Sequence, residues 1–151
     1  MPRPPTKALH GMVCANLVLE PGLWCRARAS GLRLVAGEAG FVVSRNPDVV
    51  LVPDVALVDG ERAARGRETF IEGAPDVAIE VLSDSNTLTE MERKLRYYFA
   101  GGARSVWFVD PSAKAAFVYH SLTERSVFLD DAALEDPNLG GFSLPLPALW
   151  A

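Results

Sequence analysis

A strand–helix–strand pattern in the middle of the chain constrains the fold more than any other feature. The apolar runs 76–82 and 105–109 predict two strands, and residues 87–100 between them predict a helix that Thr87 and Glu90 begin as a capping box. Two strands joined by a helix lie parallel in one sheet, with a right-handed crossover between them. The sequence therefore predicts a sheet that carries a helix on its face.

Shorter patterns on both sides of this unit predict antiparallel neighbours. We predict a helix over 8–20 that ends at Pro21 and Gly22, a hairpin of 32–35 with 41–44, a strand run over 49–58 interrupted by Pro53, a loop over 60–73, and a last antiparallel pair at 115–120 and 126–129. Parallel and antiparallel pairs in one chain indicate an α/β (α+β) fold in which a mixed sheet lies between helices.

The size and composition fit one folded domain, and we predict a single domain over 1–151. Hydrophobic residues make up 49% of the chain and charged residues 23%, which excludes an intrinsically disordered chain. No apolar stretch is long enough for a transmembrane helix, so we expect no membrane partner. The two cysteines, Cys14 and Cys25, are too few for a disulfide framework, and we interpret them as buried thiols of a cytoplasmic protein.

The charge distribution lowers the expectation of tight, non-specific DNA binding without excluding it. The formal net charge is −4, and the segment 124–136 alone sums to −4, because it contains five acidic residues and one arginine. The remainder of the chain is therefore neutral. A neutral body can still bind a phosphate backbone through a local basic patch.

Two carboxylates and one lysine are the residues most suggestive of chemistry. Asp54 and Glu80 each interrupt an otherwise apolar strand, where an ionised carboxylate is costly unless it is paired or binds a metal. Lys94 borders the apolar stripe of the helix 87–100 and can lean towards the sheet. Two carboxylates, a Mg²⁺ ion and an ammonium can together hydrolyse a phosphodiester.

Each of these residues also has a purely structural interpretation. Asp54 follows Pro53 and could end a strand, while Glu80 could pair with an arginine from 62–67. Lys94 follows Glu90 by four residues, which is the favourable spacing for an exposed ion pair on a helix. Only the combination of the three residues favours a functional site.

A second candidate is a partial zinc site on the first predicted helix. His10 and Cys14 are four residues apart and would lie on one helical face. A complete site would require Cys25 and His120 to converge on them, and no paired-ligand spacing supports that. A buried thiol beside a partly exposed imidazole is the simpler interpretation.

Taken together, these motifs resemble the Uma2 restriction-endonuclease family of the PD-(D/E)XK nuclease superfamily. The resemblance runs from about His10 to the C-terminus and is carried by Pro53-Asp54, the 75–83 block that contains Glu80, Lys94 with Tyr98, Gly101-Gly102, the 106–111 strand and Gly141-Phe142. It implies a restriction-endonuclease-like core and metal-dependent hydrolysis of DNA, often by a homodimer.

The resemblance also implies roles for individual residues. Asp54, Glu80 and the Val81 carbonyl would bind Mg²⁺ or Mn²⁺, and Lys94 would position the attacking water. The superfamily lysine normally stands two residues after the glutamate, where this chain has Leu82. Lys94, on the following helix, is therefore identified as its substitute.

Two other functions remain open at the level of sequence. One is a nuclease-like fold that binds DNA or protein as a dimer without catalysis, which the neutral-to-acidic charge favours. The other uses the two acids for general acid–base hydrolysis of another substrate such as a glycoside. That reaction leaves Lys94 without a role.

Overall fold

The computed structural model describes residues 7–28 and 30–151. Within these ranges the chain forms four helices and eleven strands, many of them short. They are α1 (Ala8–Arg28), β1 (Leu32–Ala36), β2 (Phe41–Ser44), β3 (Val49–Leu51), β4 (Val55–Asp59), α2 (Gly60–Arg65), β5 (Ile71–Glu72), β6 (Val77–Val81), α3 (Leu88–Ala100), β7 (Ser105–Asp110), β8 (Ala115–Tyr119), β9 (Arg125–Leu129), β10 (Ala133–Leu134), β11 (Leu144–Pro145) and α4 (Pro147–Trp150).

A mixed sheet organises the molecule, as the sequence predicted. Its strand order is β1-β4-β6-β7-β8-β9 within the part of the chain that the structure describes. The β6 and β7 strands are parallel and α3 connects them, whereas every other neighbouring pair in this sheet is antiparallel. The sequence pattern around residues 76–109 therefore identified the central pair of the sheet.

The two faces of the sheet pack against different helices. Along β6, Val77, Ile79 and Val81 contribute to a core that includes residues of α1 and α4. Ala78 faces the opposite way, into a core that contains Leu95 and Tyr98 of α3. This alternation follows from the two-residue period of a strand. Glu80 has the same parity as Ala78 and so belongs to the α3 face.

The α3 helix forms as its sequence predicts. The Thr87 Oγ1 accepts a hydrogen bond from the Glu90 backbone N–H at 3.2 Å, which caps the first turn. Leu95 and Tyr98 are its buried residues, and Gly101 follows its last turn. The cap and the buried side chains fix both the start of the helix and the face that it turns towards the sheet.

The predicted end of the first helix at Pro21 is wrong, because α1 continues to Arg28. Its buried residues are Val13, Leu17, Pro21 and Cys25, which recur every four residues along one face. Proline removes one backbone donor from a helix, but here its ring continues the apolar stripe. Burial of that stripe against the sheet outweighs the local cost of Pro21.

The predicted hairpin of 32–35 with 41–44 is also wrong. The β1 strand pairs with β4 in the large sheet, while β2 pairs with β3 and β5 in a separate small sheet. Turn residues suggested a local pairing, but the long-range β1–β4 pairing, with Leu34 opposite Leu57, replaces it. The predicted loop over 60–73 contains α2, which Asp59 caps by accepting from the Arg62 backbone N–H at 3.3 Å, and the short strand β5.

The predicted interruption at Pro53 is confirmed and positions a functional residue. It separates β3 from β4, so that Asp54 lies directly before β4 begins. Because β4 and β6 are antiparallel, the start of β4 lies beside the end of β6. No helix in the described part of the chain has the length and hydropathy needed to cross a bilayer.

Candidate metal and catalytic site

The candidate site lies where β4 begins and β6 ends. Val55 is opposite Ile79 in the antiparallel register, and one further step along that register brings Asp54 opposite Glu80. The Asp54 Oδ2 accepts a hydrogen bond from the Val81 backbone N–H at 2.8 Å. This bond fixes the Asp54 carboxylate at the end of β6, next to the residue that precedes Val81.

Glu80 is a buried carboxylate with a donor on each oxygen. The residue is 5% exposed. Its Oε2 accepts from the Lys94 ammonium at 3.1 Å, and its Oε1 accepts from the Tyr98 hydroxyl at 2.8 Å. Lys94 and Tyr98 are four residues apart on α3, so one face of that helix supplies both donors.

The electrostatic environment of Glu80 disfavours its charge. Burial raises the pKa of the Glu80 carboxyl above its ordinary value of 4.5, and the neighbouring Asp54 charge raises it further. The Lys94 charge and the hydrogen bonds from Tyr98 and Lys94 oppose this shift but do not cancel it. A divalent cation between the two carboxylates would remove their repulsion.

The surroundings of Tyr98 favour the protonated form of its hydroxyl, in which it donates a hydrogen bond. Burial raises the pKa of its phenol strongly, and the adjacent Glu80 carboxylate adds to that effect through its charge and its hydrogen bond. The hydroxyl therefore keeps its proton and donates it to Glu80. A fixed donor of this kind holds one oxygen of the carboxylate and sets the orientation of the other.

The structure distinguishes between the alternative partners that the sequence allowed for Lys94 and Glu80. Lys94 contacts Glu80, while Glu90, its expected surface partner, accepts from the Asn86 amide. The donors to Glu80 are Lys94 and Tyr98, and among the arginines of 62–67 Arg62 has its guanidinium 3.6 Å from Asp76. The structure thus brings Asp54, Glu80 and Lys94 to one end of the sheet, and their chemical roles remain predictions.

His10 reaches the same place from the opposite face of the sheet. Its Nε2 lies 3.2 Å from the Val81 carbonyl oxygen and 3.8 Å from Asp54 Oδ2. On the other side of the ring, Nδ1 lies 3.6 Å from Cys14 Sγ. Among the described residues, His10 and Cys14 form a candidate metal-binding cluster with Asp54 rather than with Cys25 and His120.

Sequence reasoning gave no catalytic role to Tyr98. It placed His10 beside Cys14, as the structure does, but it did not predict that His10 reaches Asp54 and Val81. The signal for Tyr98 was present, because its spacing from Lys94 places both side chains on one helical face. His10 carried no comparable signal. Its contacts with Asp54 and Val81 depend on how α1 packs over the end of β6, which local spacing does not encode.

The available donors suit a hard divalent cation. Mg²⁺ prefers oxygen ligands and often binds through one or two carboxylates. Asp54 and Glu80 supply carboxylates, and the Val81 carbonyl oxygen and Asp54 Oδ2 lie 3.2 Å and 3.8 Å from the same imidazole nitrogen, Nε2 of His10. Burial is the main cause of the raised pKa of Glu80 and the charge of Asp54 adds to it, so a cation beside both carboxylates would favour their ionised forms.

Comparisons with solved structures support the fold. The chain is similar to "a putative nuclease belonging to DUF820" from Anabaena variabilis ATCC 29413, with a TM-score of 0.79, 23% identity and coverage of 99% of this chain and 84% of that chain. A part of the DrdV–DNA complex aligns with a TM-score of 0.40 and 17% identity, over 79% of this chain and 12% of that chain. That second similarity is too weak to support an argument.

No curated protein matches the chain. The Uma2 family model, described as "Putative restriction endonuclease", matches residues 1–147. This match covers nearly the whole sequence. The chain therefore belongs to the Uma2 family of putative restriction endonucleases.

Proposed function

We propose that the protein is a metal-dependent endonuclease that hydrolyses phosphodiester bonds in DNA. The observation that carries this proposal is the buried Glu80 carboxylate, which lies between the Lys94 ammonium and the Tyr98 hydroxyl at the end of β6, with Asp54 beside it. Membership in a family described as putative restriction endonucleases supports the same reaction class. A glycosidase would not need the ammonium.

Asp54, Glu80 and the Val81 carbonyl would hold a Mg²⁺ or Mn²⁺ ion. A bound divalent ion neutralises charge on the scissile phosphate and supplies Lewis acidity. The protein contributes two carboxylates whose positions are already fixed by other contacts. Asp54 is fixed by the Val81 N–H, and Glu80 by Lys94 and Tyr98. Fixed ligands reduce the reorganisation that ion binding would otherwise require.

Lys94 orients the attacking water and stabilises negative charge on the phosphate. An ammonium has three donors, and Glu80 accepts one of them at 3.1 Å. The Lys94 side chain is 28% exposed, so water can reach it. Such a donor can hold a water molecule in line with the phosphorus atom and can balance the charge that develops on the phosphate oxygens.

Tyr98 acts as a positioning residue in this mechanism. Its hydroxyl holds the Glu80 Oε1 at 2.8 Å, and the ring is fully buried in the core beneath α3. This hydrogen bond restricts rotation of the Glu80 carboxylate about its Cγ–Cδ bond. Through Glu80, Tyr98 also keeps the Lys94 ammonium over the site rather than in solvent.

The wider setting that we propose is a cytoplasmic homodimer that acts on DNA. The cysteines Cys14 and Cys25 are thiols, as expected for a reducing compartment. Two copies would bring one site to each strand of a duplex. Exposed apolar side chains on α1, among them Met12, Leu19 and Leu23, are available to an interface between copies. Sedimentation equilibrium measures whether the dimer forms.

Cleavage of supercoiled plasmid tests the reaction and the roles together. We expect the purified protein to convert it to nicked or linear forms with Mg²⁺ or Mn²⁺ and not with a chelator. Lys94→Met and Glu80→Gln should each lower the single-turnover rate by a factor of about 10² or more. Lys114→Met, in the exposed turn between β7 and β8, removes the same charge as Lys94→Met and should cleave at the wild-type rate.

Two outcomes would contradict the proposal. Cleavage that survives in both Lys94→Met and Glu80→Gln would remove these residues from the mechanism. Absence of cleavage of any nucleic acid, together with no metal binding by calorimetry, would favour the non-catalytic module. Glu92→Gln, an exposed carboxylate on α3, is the matched control for Glu80→Gln.

A further inference from the structure

The proposed mechanism assigns no function to the imidazole of His10, which lies beside Asp54 and Val81. His10 is 15% exposed and projects from α1 onto the end of β6. Its Nε2 lies 3.2 Å from the Val81 carbonyl oxygen and 3.8 Å from Asp54 Oδ2. These are two of the three groups to which we assigned the metal ion. An imidazole nitrogen thus lies next to two members of the proposed ligand set.

The contacts of the ring define its tautomer. The Val81 carbonyl can only accept a hydrogen bond, so the Nε2 atom that contacts it carries the proton. In the neutral ring the Nδ1 atom is then an acceptor, and the Cys14 thiol at 3.6 Å is its donor. Cys14 therefore holds the ring from behind, while Nε2 faces Asp54 and Val81.

The donor set formed in this way is not the one that Mg²⁺ prefers. Ligand atoms of His10, Cys14 and Asp54 lie within 4.8 Å of one another. Mg²⁺ selects carboxylate, carbonyl and water oxygens, whereas imidazole suits first-row transition ions. A nitrogen next to the Asp54 carboxylate therefore raises the affinity of the centre for Co²⁺ and Zn²⁺ most, and for Mn²⁺ to a smaller extent, relative to Mg²⁺.

We propose that His10 is a ligand of the metal centre through Nε2 and that the centre prefers a first-row transition ion to Mg²⁺. The inference rests on the proposed function, since it uses the same Asp54 and Glu80 centre. When Nε2 binds an ion, it carries no proton, and the neutral ring holds its proton at Nδ1. There Cys14 Sγ becomes the acceptor, so that Cys14 orients the ligand without binding the ion.

Calorimetric titration with Mn²⁺ and with Mg²⁺ gives the first test. The wild-type protein should bind Mn²⁺ at least about tenfold more tightly than Mg²⁺, and His10→Ala should weaken Mn²⁺ binding by about 10–100-fold with little change for Mg²⁺. His120→Ala, in the segment after β8, is the matched control and should change neither affinity. The Glu80→Gln variant should weaken the binding of both ions.

The outcomes separate this inference from the proposed function. Equal affinities for the two ions in the wild type, or an unchanged preference in His10→Ala, would overturn the role of His10 while the oxygen-bound centre stands. Failure of the wild type to bind either ion would overturn both. Binding of both ions that is lost only in Glu80→Gln supports the centre and contradicts the nitrogen ligand.

Nitrogen NMR of the unmodified protein gives a second test that does not depend on a variant. The chain contains two histidines, His10 and His120, so the second serves as an internal reference. We expect His10 to be the Nε2–H tautomer without metal and the Nδ1–H tautomer with Zn²⁺, with no change at His120. Unchanged His10 resonances on Zn²⁺ binding would overturn the proposal.

The absorption spectrum of the Co²⁺-loaded protein tests the role of Cys14 separately. If Cys14 only holds the ring, the Co²⁺-loaded protein shows no near-ultraviolet sulfur-to-cobalt charge-transfer band. Cys14→Ser should then reduce Mn²⁺ affinity less than His10→Ala does. A strong charge-transfer band that Cys14→Ser abolishes would overturn the arrangement proposed here, because it would identify the sulfur as a direct ligand.

Discussion

Replacement of Glu80 by glutamine should make the metal-free protein more stable. The carboxylate is 5% exposed, and removing an ionised group from water costs several kcal/mol. The contacts with Lys94 and Tyr98 offset part of this cost. The pKa of Glu80 nevertheless remains raised, so the folded protein favours the neutral carboxyl more than water does. A neutral residue of the same shape avoids the penalty.

The expected gain is about 1 kcal/mol at neutral pH. Replacing a buried charged group by a neutral residue of similar volume is often neutral or stabilising by about 1–4 kcal/mol, and the loss of the charged hydrogen bond from Lys94 places the gain at the lower end of that range. Lys94 is 28% exposed and can be solvated again when its partner is neutral. For a chain of this size, about 1 kcal/mol raises the melting temperature by about 2–4 °C.

The pH dependence of the gain provides a sharper criterion. Because the folded-state pKa of Glu80 lies above 4.5, its stabilising contribution is complete below pH 4.5 and is lost as the pH rises through the folded-state pKa. Glutamine does not titrate. The advantage of Glu80→Gln should therefore be absent below pH 4.5, grow as the pH rises and then level off.

Addition of metal should reverse the order of stabilities. A ligand at one hundred times its dissociation constant stabilises the folded state by about 2.7 kcal/mol, and Glu80→Gln should gain less than this at the same metal concentration because it binds the ion more weakly. Thermal unfolding with and without Mn²⁺, across pH, measures all of these effects, and Glu92→Gln should stay within about 0.5 kcal/mol of the wild type. If Glu80→Gln instead lost more than about 1 kcal/mol at neutral pH, Glu80 would be a structural anchor and the reasoning would fail.

Three further predictions concern Tyr98, Asp136 and Cys25. Tyr98→Phe removes one donor to Glu80 and should slow single-turnover cleavage about tenfold, with a stability loss of about 1 kcal/mol in urea unfolding. Asp136→Ala should destabilise the protein by about 3 kcal/mol without changing calorimetric metal affinity, because the buried Asp136 carboxylate accepts from Trp107 Nε1 at 2.8 Å and Ser105 Oγ at 3.0 Å. Burial raises the pKa of the Cys25 thiol, so mass spectrometry should show its alkylation at least about 100-fold slower in the folded than in the unfolded protein, and a comparable rate in both states would contradict this.

Local signals in the sequence were sufficient for the elements that hold the acids and the lysine. The α3 helix was predictable from its cap and its stripe, because both depend on spacing within one turn or two. The interruption at Pro53 was predictable because proline lacks a backbone donor. Together with the β6 strand, these signals led to Asp54, Glu80 and Lys94 and to the mixed sheet.

Long-range contacts account for what the sequence did not reveal. The pairing of β1 with β4 joins residues that are far apart in the chain, and turn residues between β1 and β2 suggested a nearer partner. Pro21 was interpreted as a helix terminator, since its burial against the sheet is not a local property. The position of His10 depends on the same packing of α1, which explains why its contacts with Asp54 and Val81 were not predicted.

The candidate site at the end of β6 combines side chains from helices that pack on opposite faces of the sheet. His10 belongs to α1 on one face of the sheet, whereas Lys94 and Tyr98 belong to α3 on the other. Local opening of α3 would therefore withdraw the ammonium while leaving Asp54 and the imidazole assembled. On the proposed mechanism such a molecule would still bind the ion but would lack the Lys94 ammonium, so substitutions in α3 and in α1 should change turnover and ion affinity separately.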